Sequence, residues 1–121
     1  MKLTFVYQRV SDLPSALAFY RDELGLAEAW REGDTTVAFE LPGSPVQLMV
    51  EVPPDEHPRW NSGLFCEVPD VDAFVKEHAG LTWIGDVFEI PDGRAATFTD
   101  PSGNTIHIFD HRNDQSTAAP S

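Results

Sequence analysis

Hydrophobic and polar positions along the chain fall into two rounds of one pattern. A strand-like run, LTFVYQRV, leads into Val10-Ser11-Asp12-Leu13 and a helical stretch in which Leu13, Ala16, Leu17, Tyr20 and Leu24 share a face. Half a chain later, GLFCEV leads into Val68-Pro69-Asp70-Val71 and a second helical stretch with Val71, Phe74, Val75 and His78 on one face. Asp12 and Asp70 read as N-caps, because a short carboxylate accepts from the orphan N–H groups of a first turn. Gly25 and Gly80 read as C′ residues, where positive φ is needed, and Leu26 and Leu81 then open the next strand. FELP at 39–42 and FTDP at 98–101 correspond as well. They turn through Gly43-Ser44 and Ser102-Gly103 into last strands over 46–52 and 104–110. Each half therefore reads β-α-β-β-β, which predicts an α+β fold of two tandem modules, 1–52 and 61–111. Residues 53–60 (PPDEHPRW) carry three prolines and read as a linker. The polar stretch 112–121 reads as a disordered tail. Matched caps, glycines and turns favour duplication over coincidence.

Charge narrows the function. The chain has 121 residues, with 8 Lys+Arg against 20 Asp+Glu, a net charge of −12. Residues 1–60 hold 5 basic and 10 acidic residues and residues 61–121 hold 3 and 10, so the acidity is not confined to a tail. A duplex-binding protein needs a basic footprint that this chain lacks, and an anionic membrane surface would repel it. A neutral or cationic small ligand fits. Cys66 is the only cysteine, which excludes an intrachain disulfide and a Cys-based zinc cluster. The N-terminal MKLTFVYQRV lacks the apolar core of a signal peptide, and no apolar run reaches membrane-spanning length. The expectation is a cytoplasmic protein with no nucleic-acid or membrane partner. Serine-nucleophile, phosphate-loop, dinucleotide and HExxH motifs are absent.

The alternation sets Phe5, Tyr7, Phe65, Phe98 and Phe109 toward one side of the sheet, as the lining of an aromatic cup. Glu67 shares that register and is the expected counter-charge for a cation. Trp60 borders the linker as a lid, and Trp83 lies on the strand after the second helix; indole faces stack planar rings and attract cations. Trp30 is expected in core or interface packing. His107 points away from Ile106 and Ile108 and is the one candidate ligand-bonding or acid/base histidine. His57, His78 and His111 read as surface residues, and Cys66 as buried and inert.

Three segments together resemble the vicinal oxygen chelate superfamily, which includes glyoxalase I, extradiol dioxygenases, fosfomycin resistance enzymes and bleomycin resistance proteins. They are Arg9-Val10-Ser11-Asp12-Leu13, then Ala18-Phe19-Tyr20-Arg21-Asp22 with Leu24-Gly25-Leu26, and Phe98 to Phe109 (FTDPSGNTIHIF). The resemblance spans 2–110 and implies two modules forming a curved, cup-like sheet. Metal enzymes of that family set a His, Gln or Glu ligand on the first and last strand of each module. The matching positions are Phe5, Leu48, Gly63 and His107, and a lone imidazole is not a divalent site. A register slip would turn Gln8, Gln47, Glu51 or Glu67 toward His107. Residues 100–109 (DPSGNTIHIF) are similar to the corresponding segment of the metal-free bleomycin resistance proteins, which implies a homodimer whose clefts sequester a cationic drug.

The expected function is metal-independent binding of a neutral or cationic aromatic small molecule, with antibiotic sequestration as one form. The contacts would be Phe5, Tyr7, Leu48, Trp60, Phe65, Glu67, Trp83, Phe98, His107 and Phe109, with no cofactor and no catalytic residue required. The alternatives are a metal-dependent lyase, isomerase or dioxygenase, the only case needing a divalent metal, and a metal-free acid/base enzyme using His107 with Glu67 or Tyr7.

Overall fold

The computed structural model describes residues 1–112, and the expected tail, 112–121, lies outside them except for Arg112, which pairs with Asp70 at 3.1 Å. The first half runs β1 (Lys2–Arg9), α1 (Leu13–Leu17), a π-helical turn over Ala18–Glu23, β2 (Glu28–Glu32), β3 (Thr36–Glu40) and β4 (Gln47–Glu51). After a 3₁₀ turn at Pro58–Trp60, the second half runs β5 (Gly63–Glu67), α2 (Val71–Glu77), β6 (Thr82–Trp83), β7 (Phe88–Ile90), β8 (Gly93–Thr99) and β9 (Thr105–Phe109).

The strands form one mixed sheet in the order β2-β3-β4-β1-β5-β9-β8-β6, with β7 also on β8. Its centre is the antiparallel β1/β5 pair, with Phe5 opposite Phe65 and Tyr7 opposite Gly63. Parallel pairs flank it: Tyr7 lies beside Met49 on β4, and Phe65 beside His107 on β9. The two halves thus repeat each other across the β1/β5 seam, as the duplicated pattern predicts. One element differs. The single strand expected after the second helix is split into β6 and β7. Trp83 pairs with Phe98 but Phe88 pairs with Ala95, so the edge strand holds two extra residues between them. Such a bulge bends an edge, and here it separates Trp83 from the Phe88–Ile90 segment.

The caps form as read. The Asp12 carboxylate accepts from Ser15 N–H at 2.9 Å, and the Asp70 carboxylate from Ala73 N–H at 3.1 Å. Gly25 has φ of 82°, as expected, but Gly80 is not left-handed. Helix α2 closes earlier: the His78 ring N–H donates to the Phe74 carbonyl at 2.9 Å, and the Trp83 indole N–H donates to the His78 carbonyl at 2.9 Å. Leu24 is also corrected, since it is 56% exposed. In the π turn its N–H reaches five residues back to Phe19, and the extra residue per turn rotates its side chain off the buried face.

Both helices cover the same face of the sheet. Leu13 and Ala16 pack on Val37, Phe39, Leu48 and Val50; Val71 packs with Val68 on Ala96, Phe98 and Ile108. The other face is left open and carries the cup.

Asp110, fully buried, ties the second half together. Its carboxylate accepts from Val71 N–H at the start of α2 (2.8 Å) and from Arg94 N–H on β8 (3.0 Å). Gly93 lies against it, and a methyl group there would run into the Asp110 carbonyl and carboxylate. Asp110→Ala orphans two buried backbone donors and is expected to cost about 3 kcal/mol in urea denaturation. Asp12→Ala, which removes an exposed cap, is expected to cost less. Equal losses would contradict this account of the second half.

Candidate functional site

Every second residue of the central strands faces the open side. Phe5 and Tyr7 on β1, Met49 and Glu51 on β4, Phe65 on β5, Thr97 on β8, and His107 and Phe109 on β9 line one cavity of about 820 Å³. Trp30, Trp60, Phe88 and the prolines Pro53 and Pro54 wall it. That volume lies within the roughly 300–1,000 Å³ of small-molecule sites. The rings meet edge-on or tilted as a continuous layer. Phe65 lies 5.9 Å from Phe5 and 5.1 Å from Phe109, Tyr7 lies 5.0 Å from His107, and Trp30 packs edge-on against Phe5 at 5.7 Å. Trp60 meets Phe88 edge-on at 5.3 Å, closing one wall.

Two hydrogen-bonded polar groups, Glu51 and His107, sit among these rings. Glu51 accepts from the Tyr7 hydroxyl and from the Thr36 hydroxyl, each at 2.5 Å. Burial of the Tyr7 phenol, then its bond to Glu51 and the carboxylate's charge, push the Tyr7 pKa far above its ordinary value. His107 is 4% exposed. Its Nε2 lies 2.9 Å from the Asn61 carbonyl, which can only accept, so Nε2 carries the proton. Nδ1 is then bare and accepts from the Thr97 hydroxyl at 2.9 Å. Burial lowers the His107 pKa, partly opposed by the Asn61 bond, so the ring is neutral at pH 7.

The structure brings Phe5, Tyr7, Trp60, Phe65, His107 and Phe109 to the cup, as the sequence predicts. Leu48, Phe98 and Trp83 do not reach it. Leu48 and Phe98 lie in the two helix-facing core clusters, and Trp83, opposite Phe98, packs there against Phe98 and Phe74. The cause is turn length. Phe39 pairs with Leu48 as Phe98 pairs with Ile106, so the first β-turn-β connection is one residue longer than the second. Carrying the repeat through that turn without the extra residue aligns Leu48 with His107, whereas the true counterpart is Met49. Glu67 is corrected too: it lies outside the cup lining, with its carboxylate 3.8 Å from the His111 ring. The proline-rich segment is more than a linker, since Pro53, Pro54 and Trp60 are part of the wall.

The residues missed are Trp30, Thr36, Met49 and Phe88, with Glu51 foreseen only as a register slip. Trp30 turns inward, and its indole N–H donates at 3.0 Å to Oε1 of Gln47, which does not itself line the cup. Gln8 pairs with Val50 and takes the helix-facing register. The run EAWRE has no clean alternation, so only the strand pairing reveals where Trp30 points.

The donors present do not fit a divalent metal. With the turn counted correctly, the four positions the resemblance implies are Phe5, Met49, Gly63 and His107. At Gly63 a Cβ would overlap the Thr105 carbonyl, so no ligating side chain enters there without moving β9. Both His107 nitrogens are engaged. Among the described residues no three His, Cys, Asp or Glu side chains converge.

Comparison with known proteins agrees with this architecture. No curated protein sequence matches the chain. Among solved structures it is similar to an NAD-dependent benzaldehyde dehydrogenase structure from Legionella pneumophila (17% identity, TM-score 0.73, 88% of this chain and 97% of that one). It is similar to methylmalonyl-CoA epimerase from Mycobacterium tuberculosis (22%, 0.66, 96% and 91%). It is also similar to a glyoxalase/bleomycin resistance protein/dioxygenase superfamily member from Vibrio splendidus 12B01 (18%, 0.59, 88% and 94%). These identities establish a shared fold alone. Among the described residues no helix is long and apolar enough to cross a membrane. The family profile of the Glyoxalase/Bleomycin resistance protein/Dioxygenase superfamily matches residues 2–108, nearly the whole described chain, and the chain belongs to that superfamily.

Proposed function

We propose that this chain is a metal-independent binding protein that holds a planar aromatic small molecule in the cup and leaves it unchanged. It would sequester an antibiotic-like or metabolic ligand as a cytoplasmic homodimer. The observation that carries the reading is a ring-lined cavity of about 820 Å³ whose one central imidazole has both nitrogens committed to protein partners. Stacking on Phe65, Trp60 and Phe88 supplies affinity without a reactive group. Acid/base chemistry is less well served. The Tyr7 proton is held more tightly than in water, and Glu51 already accepts from two protein hydroxyls. Glyoxalase-like metal chemistry lacks its ligands.

Nickel, zinc and manganese are expected to leave the thermal midpoint unchanged, whereas a metal at a hundred times its Kd would add about 2.7 kcal/mol. Stoichiometric metal after purification without chelator, lost in His107→Ala, would overturn the reading. Planar heteroaromatics are expected to quench tryptophan fluorescence saturably, one per chain, and to be recovered chemically intact. Turnover of the bound compound would point instead to an enzyme.

His107 also sets a pH dependence. Burial lowers its folded-state pKa below the unfolded value of about 6.5, so protonation favours the unfolded chain. Its contribution to stability is complete above about pH 6.5 and is lost as pH falls from there toward the folded value. The stability advantage of wild type over His107→Gln is expected to narrow between pH 7.5 and 5.5 in urea titrations. An advantage that widens in that window would contradict a neutral, buried ring.

A further inference from the structure

Glu51 is a buried-site carboxylate with no ion-pair partner among the described residues. Arg9, beside it in the β1/β4 register, turns away to Glu56 at 2.7 Å. A charge among aromatic rings is costly unless something compensates it. The hydroxyls of Tyr7 and Thr36 compensate only in part. Each carboxylate oxygen receives one hydrogen bond and retains acceptor capacity. Those two donors also fix the position of the carboxylate in the floor of the cup. The surroundings have the same sign. Glu32, Glu89 and Asp92 line the cup with Glu51, and no Lys or Arg does. The nearby cations are peripheral: Arg94 pairs with Glu89 at 3.0 Å and Arg59 packs its guanidinium over Phe88 at 4.9 Å, neither lining the cavity, and His111, which lines it, has its ring 3.8 Å from Glu67. The faces of Tyr7, Phe65 and Trp60 add the negative quadrupole that attracts a cation.

Building on the cup as a ligand site, we infer that Glu51 is its ionic anchor, selecting planar aromatic ligands that carry a protonated amine or amidine. The ring would stack in the aromatic layer while its N–H groups bond the free acceptor positions of Glu51. An anionic ligand of equal size would meet Glu51, with Glu32 and Asp92 also lining the cup, and be rejected.

Three tricyclic probes of similar size test this at pH 7 by tryptophan quenching: 9-aminoacridine (cationic), acridone (neutral) and 9-anthracenecarboxylate (anionic). Wild type is expected to bind 9-aminoacridine about tenfold more tightly than acridone, the advantage of a charge-assisted hydrogen bond, with the carboxylate weakest. Glu51→Gln is expected to abolish that tenfold preference and leave acridone affinity within about twofold. The probe ranking in wild type needs no variant, so the inference stays testable if Glu51→Gln does not fold. Acridone binding as tightly as 9-aminoacridine would overturn the anchor and leave the cup standing as a ligand site. A preference that survives Glu51→Gln would remove Glu51 as its source. Failure of all three probes to bind would overturn both the anchor and the ligand-site reading.

Discussion

The antiparallel contact between β1 and β5 is the constraint on which the rest of the molecule depends. It joins two halves, each with its own helix-covered core cluster, into one sheet, and it places Tyr7 opposite Gly63 and Phe5 opposite Phe65. Because the side-chain period of a strand is two, that one register decides which residues of β4 and β9 face the open side. It puts Met49 beside Tyr7 and His107 beside Phe65, and it sends Leu48, Val50 and Ile108 under the helices. Gly63 is part of the same constraint. The chain comes so close to Thr105 there that a side chain has no room. The seam thus sets the aromatic floor and, at the same point, removes one position from which a metal could be held.

The two polar groups of the cup solve the problem of burial in opposite ways. His107 is neutralised. Its ring is desolvated, donates to Asn61, accepts from Thr97, and offers nothing further to a ligand or metal. Glu51 accepts from two hydroxyls that leave acceptor capacity toward the cavity. Under the proposed function, this polarised floor would serve recognition rather than reaction. The ring walls of Trp60 and Phe88 exist because the proline-rich segment and the bulged edge of β7 cannot continue the regular sheet and lean against each other instead.

Much of this was legible in the chain because duplication wrote it twice. Asp12 and Asp70, both followed by helix-period apolar residues, announced the two caps and the helix-facing cores. The alternation in LTFVYQRV and TIHIF placed Phe5, Tyr7, His107 and Phe109 on one face. What failed has physical causes. One extra residue in the turn after β3 shifted the repeat, which cost Leu48 its expected place and hid Met49 and Glu51. The extra residue of a π turn moved Leu24, and a ring N–H closing α2 made a left-handed Gly80 unnecessary. Trp30 and Phe88 were unreadable, because their orientation comes from pairing across an edge and not from a local pattern.

The central claim is that the floor of the cup is built for binding and not for a metal. The direct measurement is the long-range ¹H–¹⁵N spectrum of the histidine side chains at pH 7, recorded with and without excess zinc. The account predicts His107 as the neutral Nε2–H tautomer, unmoved by zinc. A zinc-dependent shift of either His107 ring nitrogen would contradict it.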